Sequence, residues 1–242
     1  MQPAGLGRIP RGEQTWCLVY VARLNQLVER HESLLEERER HRRAGLRRRA
    51  DRDRFTLGTV LVRCVVGRHT GIPPSSVVVD RTCDECGEPH GRARATGTGT
   101  EVSISHSGDV VAVAVTPGQP VGVDVEVVGD GDGDHDRLTE VVCTAAEAAY
   151  VRDPSGFYAY WTRKEAVLKA LGIGLRRPLT EVIVTPPTVR PSLLRLGSEA
   201  PPACVMADIP IRRGYAAAVT VLTDGPVRFG VVDAALVLRP RT

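Results

Sequence analysis

Seven residues constrain this chain more than any others of similar length. From Val121 to Val127 the sequence reads V-G-V-D-V-E-V, with valine at every odd position and Gly122, Asp124 and Glu126 at the even ones. Strict alternation is the period of a β-strand, and β-branched valine suits a pleated surface. The segment predicts a strand with one apolar and one acidic face, its two carboxylates about 6.6 Å apart. Two like charges on one side of an apolar strand repel. They are tolerable on a half-exposed edge, where water screens them, or around a cation held between them. Hard divalent cations with oxygen ligands suit the second arrangement, above all Mg2+ sharing its shell with phosphates.

A second stretch, F157-Y-A-Y-W-T-R-K-E-A-V-L-K-A-L-G-I-G-L175, reads as a helix. Asp153, Pro154 and Ser155 provide cap and turn chemistry before it, and Gly172 and Gly174 end it. Trp161, Glu165, Leu168 and Lys169 share a face by the 3.6 period. Among 32 Lys and Arg residues, Lys164 and Lys169 are the only lysines, and they flank Glu165. Arginine does not replace lysine where a compact ammonium with a movable pKa is required. The same residues also fit a solvated Glu165–Lys169 pair at i,i+4, worth only ~0.3–0.5 kcal/mol.

At 242 residues, 42% of them hydrophobic, the chain is long enough for one large domain or two of about 120 residues. It has no 18-residue apolar run and no signal-peptide pattern, so no membrane span is expected and a cytoplasmic location is. Six scattered cysteines do not form the framework of a secreted disulfide scaffold.

In chain order, Thr15–Val21 has strand composition, and Ala22–Arg49 is helix-forming with a weak apolar stripe. A helix from Asp51, with Phe55, Val60, Leu61 and Val65 inward, closes at Gly71. Ser76–Asp80 is a valine-rich strand, Cys83–Gly99 a glycine-rich loop, and Val102–His106 with Val110–Val115 a strand–turn–strand unit. Gly129–Asp136 reads as a flexible acidic linker without the glutamate of a calcium loop. Thr144 is a possible cap. Glu181–Thr185, Ala203–Ile209, Tyr215–Leu222 and Val227–Val232 are strand-like. The order helix, short strand, loop, two-strand unit occurs from Asp51 to Val115 and again from Phe157 to Leu222. That repetition predicts duplicated architecture, with a ligand site where the halves meet.

Three further motifs carry chemistry. Ser105 and His106 end a strand just before the Ser107-Gly108-Asp109 turn, where N–H donors would grip a phosphate or ribose, although a lone histidine is more often structural. Cys83, Cys86 and His90 have partial zinc-knuckle spacing without a fourth ligand, and otherwise form a reduced surface loop. The arginine-rich run from Glu39 to Arg54 is a solvated helix face, a nucleic-acid footprint or a grip for a polyphosphorylated small molecule. An aromatic content of 4% and a net charge of only +3 weigh against nucleic acid.

Together G122-V-D-V-E126, S105-H-S-G108 and W161-T-R-K-E-A-V-L-K169 resemble the 4′-phosphopantetheinyl transferase superfamily, in its long, surfactin-synthetase-activating type. The resemblance covers roughly Arg38 to Leu175. It implies an α+β fold of two similar lobes related by a pseudo-twofold, divided as 1–120 and 121–242, with the active site at their junction. It also implies a monomeric enzyme of secondary metabolism that moves the phosphopantetheine arm of coenzyme A onto a serine of an apo acyl or peptidyl carrier protein. On this resemblance Asp124, Glu126 and Glu165 hold Mg2+, Glu165 is the base, and Lys169 steadies or protonates the leaving phosphate. Lys164 reaches the pyrophosphate. Ser105, His106, Arg54, Arg42 and Arg92 serve the nucleotide phosphates, and Glu147 stands near the site. Two departures accompany the match: Arg92-Ala93 where the family has Lys-Pro, and Ile173 where a lysine is frequent. A Mg2+-dependent phosphohydrolase with the same carboxylates, and an arginine-rich nucleic-acid-binding protein, are the competing readings.

Overall fold

The computed structural model describes residues 15–83, 85–89, 91–129 and 135–239. The acidic linker residues 130–134 and His90 lie outside that set. The first half runs β1 (Thr15–Arg23), α1 (Glu37–Gly45), α2 (Arg49–Thr70), the short hairpin β2 (Val79–Asp80) and β3 (Arg94–Ala95), then β4 (Thr100–Ser107) and β5 (Val110–Pro117). The second half runs β6 (Val121–Val127), α3 (His135–Val142), α4 (Ala145–Ala148), α5 (Pro154–Leu171), the hairpin β7 (Val182–Val184) and β8 (Leu193–Leu196), then β9 (Cys204–Asp208) and β10 (Tyr215–Leu222). A closing strand, β11 (Val227–Asp233), and a short helix, α6 (Ala235–Leu238), follow.

Strand order is β11-β1-β5-β4 in one sheet and β6-β10-β9 in the other. The element order strand, helix, hairpin, strand, strand therefore recurs, and in each half the last strand pairs between the first and the fourth. β11 adds to the first sheet, parallel to β1, while its other pairings are antiparallel.

Alternation builds the layers. In β5, Val111, Val113 and Val115 turn toward α2, whereas Val110, Ala112 and Ala114 turn toward the second sheet. Val121, Val123 and Val125 of β6 meet that second face and are fully buried. The strand predicted from seven residues thus places three of its four valines between two sheets, while Val127 is exposed. Its other face lies under α5. The result is four layers, α2 on sheet on sheet on α5, each apolar face covered by the next.

The two sheets also join edge to edge, through side chains. The hydroxyls of Ser103, Ser105 and Ser107 on β4 accept from the backbone N–H groups of Val123, Val125 and Val127 on β6, at 3.1, 3.3 and 3.1 Å. A seam of serines satisfies the edge of β6 where a backbone ladder would otherwise be needed.

Three expectations differ. Ser76–Asp80 is strand only at Val79–Asp80, after a 3-10 turn at Pro74–Ser76. Ala22–Arg49 is not one helix: 3-10 turns at Leu24–Gln26 and Glu29–Leu34 precede α1. The chain breaks there because Leu35 is buried in the core in an extended conformation and His31 turns inward to the carbonyl of Leu238. Phe55, expected in the core, instead lies beneath the guanidinium of Arg42, 5.4 Å from its ring centre. No helix among the described residues is long and apolar enough to cross a membrane.

Candidate active site

Helix α5 sets the site. The side chain of Asp153 caps its start by accepting from the Gly156 N–H at 2.8 Å, and Pro154 occupies the first turn. Gly172, at φ 72°, ends it. The helix can lie directly on β6 because position 122 has no side chain. A Cβ there would run into the carbonyl oxygen of Ala166 and the amide nitrogen of Ala170, and would stand 2.9 Å from Cβ of Lys169. This close approach brings Glu165 and Lys169 over the acidic face of β6.

Asp124 is buried, and its Oδ1 accepts from the Lys169 ammonium at 2.6 Å and from the Ser105 hydroxyl at 2.8 Å. Lys169 also donates to the Ser105 oxygen at 3.1 Å. Glu126 accepts from the Ser107 hydroxyl at 2.7 Å. The second Asp124 oxygen, Oδ2, and Oε1 of the buried Glu165 have no hydrogen-bond partner among the described residues. Burial raises the pKa of Glu165 above the ordinary carboxylate value, and the charges of Asp124 and Glu126 add to the rise, against Lys169. Glu126 is raised too, by burial first and by Asp124, against the Ser107 hydrogen bond and Lys169. Carboxylates that repel and leave buried oxygens unpaired form an incomplete electrostatic site.

Opposite these acids stands positive charge. Arg42, Arg54, Arg81 and His106 line the same cleft of about 370 Å³ as Ser105, Asp124, Glu126, Trp161, Glu165 and Lys169. Arg54 is fixed by donating to the Gly108 carbonyl at 2.7 Å and by its ion pair with Asp51. Arg42 donates to the Pro89 carbonyl at 2.6 Å. Arg81 makes no ion pair among the described residues, and burial and the nearby Arg42 depress its pKa. Partial burial, with Arg54, Lys169 and Arg81 nearby, also lowers the pKa of His106, which favours a neutral ring that can donate one N–H. A cluster of cations pushed together, of which Arg54 alone has an acid as its ion-pair partner among the described residues, fits a polyanion.

The cleft straddles the serine seam, between α2 on one side and α5 on the other. Sequence reading expected eight of its residues there: Arg42, Arg54, Ser105, His106, Asp124, Glu126, Glu165 and Lys169. It missed Arg81, which follows a two-residue strand and belongs to no motif. Arg92 lies in an adjoining groove that shares Arg81, Ile104 and Lys169 with the cleft, where it pairs with Glu101 at 2.5 Å and donates to the Ala170 carbonyl at 3.3 Å.

Lys164 does not reach the cleft. It lies on the far side of α5, wholly buried, donating to the carbonyls of Val142 and Leu179 at 2.7 and 3.1 Å and to Glu147 at 2.7 Å. The expectation that it touches a pyrophosphate is corrected by the helix period, which sets residues five apart at about 140° around the axis. Glu147 is its partner and also accepts from the Val184 N–H at 3.2 Å, so this pair knits α4, α5 and β7 together.

Residues 120–220 match the 4′-phosphopantetheinyl transferase superfamily. The matched stretch opens at β6 and closes within β10, and it contains Asp124, Glu126, Glu165 and Lys169. Arg42, Arg54, Arg81, Ser105 and His106 reach the cleft from outside it. No curated protein matches the chain. The match supports a transferase, and phosphopantetheine transfer from coenzyme A as its general chemistry, while the mixed α+β architecture fits that superfamily.

A divalent cation is implied by the superfamily, and the donors present are suited to one. Among the described residues no three His, Cys, Asp or Glu side chains are preassembled at ligating distance. Asp124 and Glu165, which carry these unpartnered oxygens, nonetheless both line one cleft, and oxygen donors of this kind fit Mg2+.

Proposed function

We propose that this protein transfers the 4′-phosphopantetheine arm of coenzyme A to a serine of an apo acyl or peptidyl carrier protein and releases 3′,5′-ADP. It would act as a cytoplasmic monomer of two similar lobes, divided near residue 120. The observation that carries the reading is the opposition, across one cleft, of Asp124, Glu126 and Glu165 with Arg42, Arg54 and Arg81, beside Lys169.

In this reaction the serine oxygen of the carrier attacks the β-phosphorus of coenzyme A. The bond from that phosphorus to the oxygen bridging it to the α-phosphate breaks, and the bridging oxygen leaves on 3′,5′-ADP. Catalysis of phosphoryl transfer is chiefly positioning and neutralisation of charge. Asp124, Glu126 and Glu165 would hold Mg2+, which when bound offsets charge on the pyrophosphate. Glu165 takes the serine proton, and burial raises its proton affinity above that of an ordinary carboxylate. Lys169, held between Asp124 and Ser105, donates toward the leaving oxygen. Arg42, Arg54, Arg81 and His106 steady the nucleotide phosphates, and Arg92 the part of the nucleotide that extends into the adjoining groove.

The test is to incubate the protein with coenzyme A, MgCl2 and an apo carrier protein and to weigh the carrier. The expected result is a gain of about 340 Da, the mass of one arm moved by this phosphoryl chemistry. Nucleotide release without an acceptor would point to a phosphohydrolase, and an unchanged carrier would overturn the assignment.

A further inference from the structure

A cavity larger than the carboxylate cleft lies away from it, at the opposite end of α2. It encloses about 720 Å³ between that helix, the 3-10 turn Glu29–Leu34 and α6. This volume is in the range of small-molecule sites. Its body is apolar, with Leu34, Ile72, Pro73, Pro74 and Val237 among the walls. Its remaining polarity is one-sided. Arg30, Arg68 and Arg239 line it, no aspartate or glutamate does, and among the described residues none of these three arginines forms an ion pair. Elsewhere some arginines that border a core are matched: Arg63 to Glu36 and Glu39, Arg163 to Asp208, Arg92 to Glu101.

Arg30 donates one N–H to the Leu238 carbonyl at 3.3 Å, and the neutral polar groups inside the cavity are committed too, which leaves the remaining guanidinium donors as its recognition chemistry. His31 accepts from the Val28 N–H through Nδ1 and so donates through Nε2 to the Leu238 carbonyl at 3.1 Å. The Tyr20 hydroxyl bonds to His69 at 3.0 Å. Burial raises the Cys64 thiol to about 11, so it stays protonated and apolar in character.

We propose that this cavity is a second ligand site and that it takes an amphipathic carboxylate, with an alkyl or similarly apolar body against the walls and the carboxylate among Arg30, Arg68 and Arg239. Carboxylates match guanidinium forks, and an apolar body gains by leaving water. The site is independent of the transfer reaction, and it lies at the other end of α2 from the candidate active cleft.

Calorimetric titration of the full chain with dodecanoate, below its micelle concentration and with saturating coenzyme A and MgCl2 present, tests the proposal. One saturable equivalent is expected, with affinity at least tenfold above that for dodecanol. The double variant Arg68→Ala, Arg239→Ala alters two exposed side chains and should weaken dodecanoate at least tenfold while its melting temperature and carrier loading are unchanged. Val237→Trp, which fills the cavity, should abolish binding. Multiple weak equivalents, equal affinity for dodecanol, indifference to the arginine variant, or displacement by coenzyme A would each overturn it. Failure of carrier loading would bear on the proposed function alone.

Discussion

Gly122→Ala is the substitution that most directly tests how the site is built. An added Cβ meets backbone on α5, the Ala166 carbonyl oxygen and the Ala170 nitrogen, at separations far below the 3.4–4 Å of ordinary contact. Neither atom can rotate away, so the helix must retreat from β6 by roughly 1 Å, loosening packing along both. Overpacking of this kind costs about 1–3 kcal/mol, and a rigid backbone target puts it at the upper end, about 3 kcal/mol. For a chain of this size that lowers the melting temperature by about 6–12 °C. The same retreat carries Glu165 and Lys169 away from Asp124, and a misplacement of about 1 Å in a catalytic constellation costs around 10²-fold in rate. The assay pairs thermal unfolding with the rate of carrier loading by mass spectrometry. Gly45→Ala is the control, because nothing lies within 4 Å of its added Cβ. A Gly122→Ala protein that melts within 2 °C of wild type and loads carrier at the wild-type rate would refute the claim that this contact sets the site.

Asp124→Asn should reduce carrier loading by about 10²-fold or more, since the proposed metal site loses a charged ligand, and it should abolish any rise in melting temperature caused by MgCl2; both are read in one thermal-shift and loading series. Lys169→Arg should slow turnover at least about tenfold despite its conserved charge, because a planar guanidinium does not fit the point between Asp124 Oδ1 and Ser105 Oγ; wild-type kcat would refute this. Lys164→Met should cost about 3–5 kcal/mol in denaturant unfolding by leaving Glu147 charged, buried and alone, whereas Lys164→Met with Glu147→Leu should recover much of the loss. His69 is held neutral to about pH 4, against an ordinary 6.5, chiefly by burial and then by Arg68. The unfolded chain therefore takes up this proton first, so the stability is whole above pH 6.5 and is lost as pH falls from there toward 4. After allowance for partial solvent contact this is about 1–2 kcal/mol, seen as a shallower acid limb in unfolding curves of His69→Gln.

How much of this could be read in the sequence depends on which residues announce a period. The strand at Val121–Val127 was legible because alternation fixes both its faces, and β10 coincided with the expected Tyr215–Leu222. Helix α5 was legible from its caps. Its geometry also held the answer to Lys164, since 161, 165 and 169 step along one side while 164 falls on another; two lysines close in sequence drew them together where the period separates them. Arg81 carried no signal, because its role comes from a hairpin that brings it beside Arg42, a contact between residues about forty apart. The serine seam was present as Ser103, Ser105 and Ser107 at period two, but only its last turn was read.

That seam explains why the fold and the candidate chemistry share residues. The Ser105 hydroxyl has one proton and two lone pairs, and all are used: it donates to Asp124 and accepts from the Val125 N–H and from Lys169. One atom therefore joins the sheets, orients a carboxylate and holds the ammonium. Ser107 repeats the device with Glu126 and the Val127 N–H. Because α5 touches β6 through Gly122 while β6 touches β4 through these hydroxyls, the acids and Lys169 are positioned from both flanks by buried backbone. The arginines opposite have no such frame; they arrive from α1, α2 and the β2–β3 hairpin and are tied to loop carbonyls at Gly108 and Pro89. The half of the cleft framed by buried backbone is thus the half that carries the acids, and in the proposed function the half tied to loop carbonyls is the one that collects an anion.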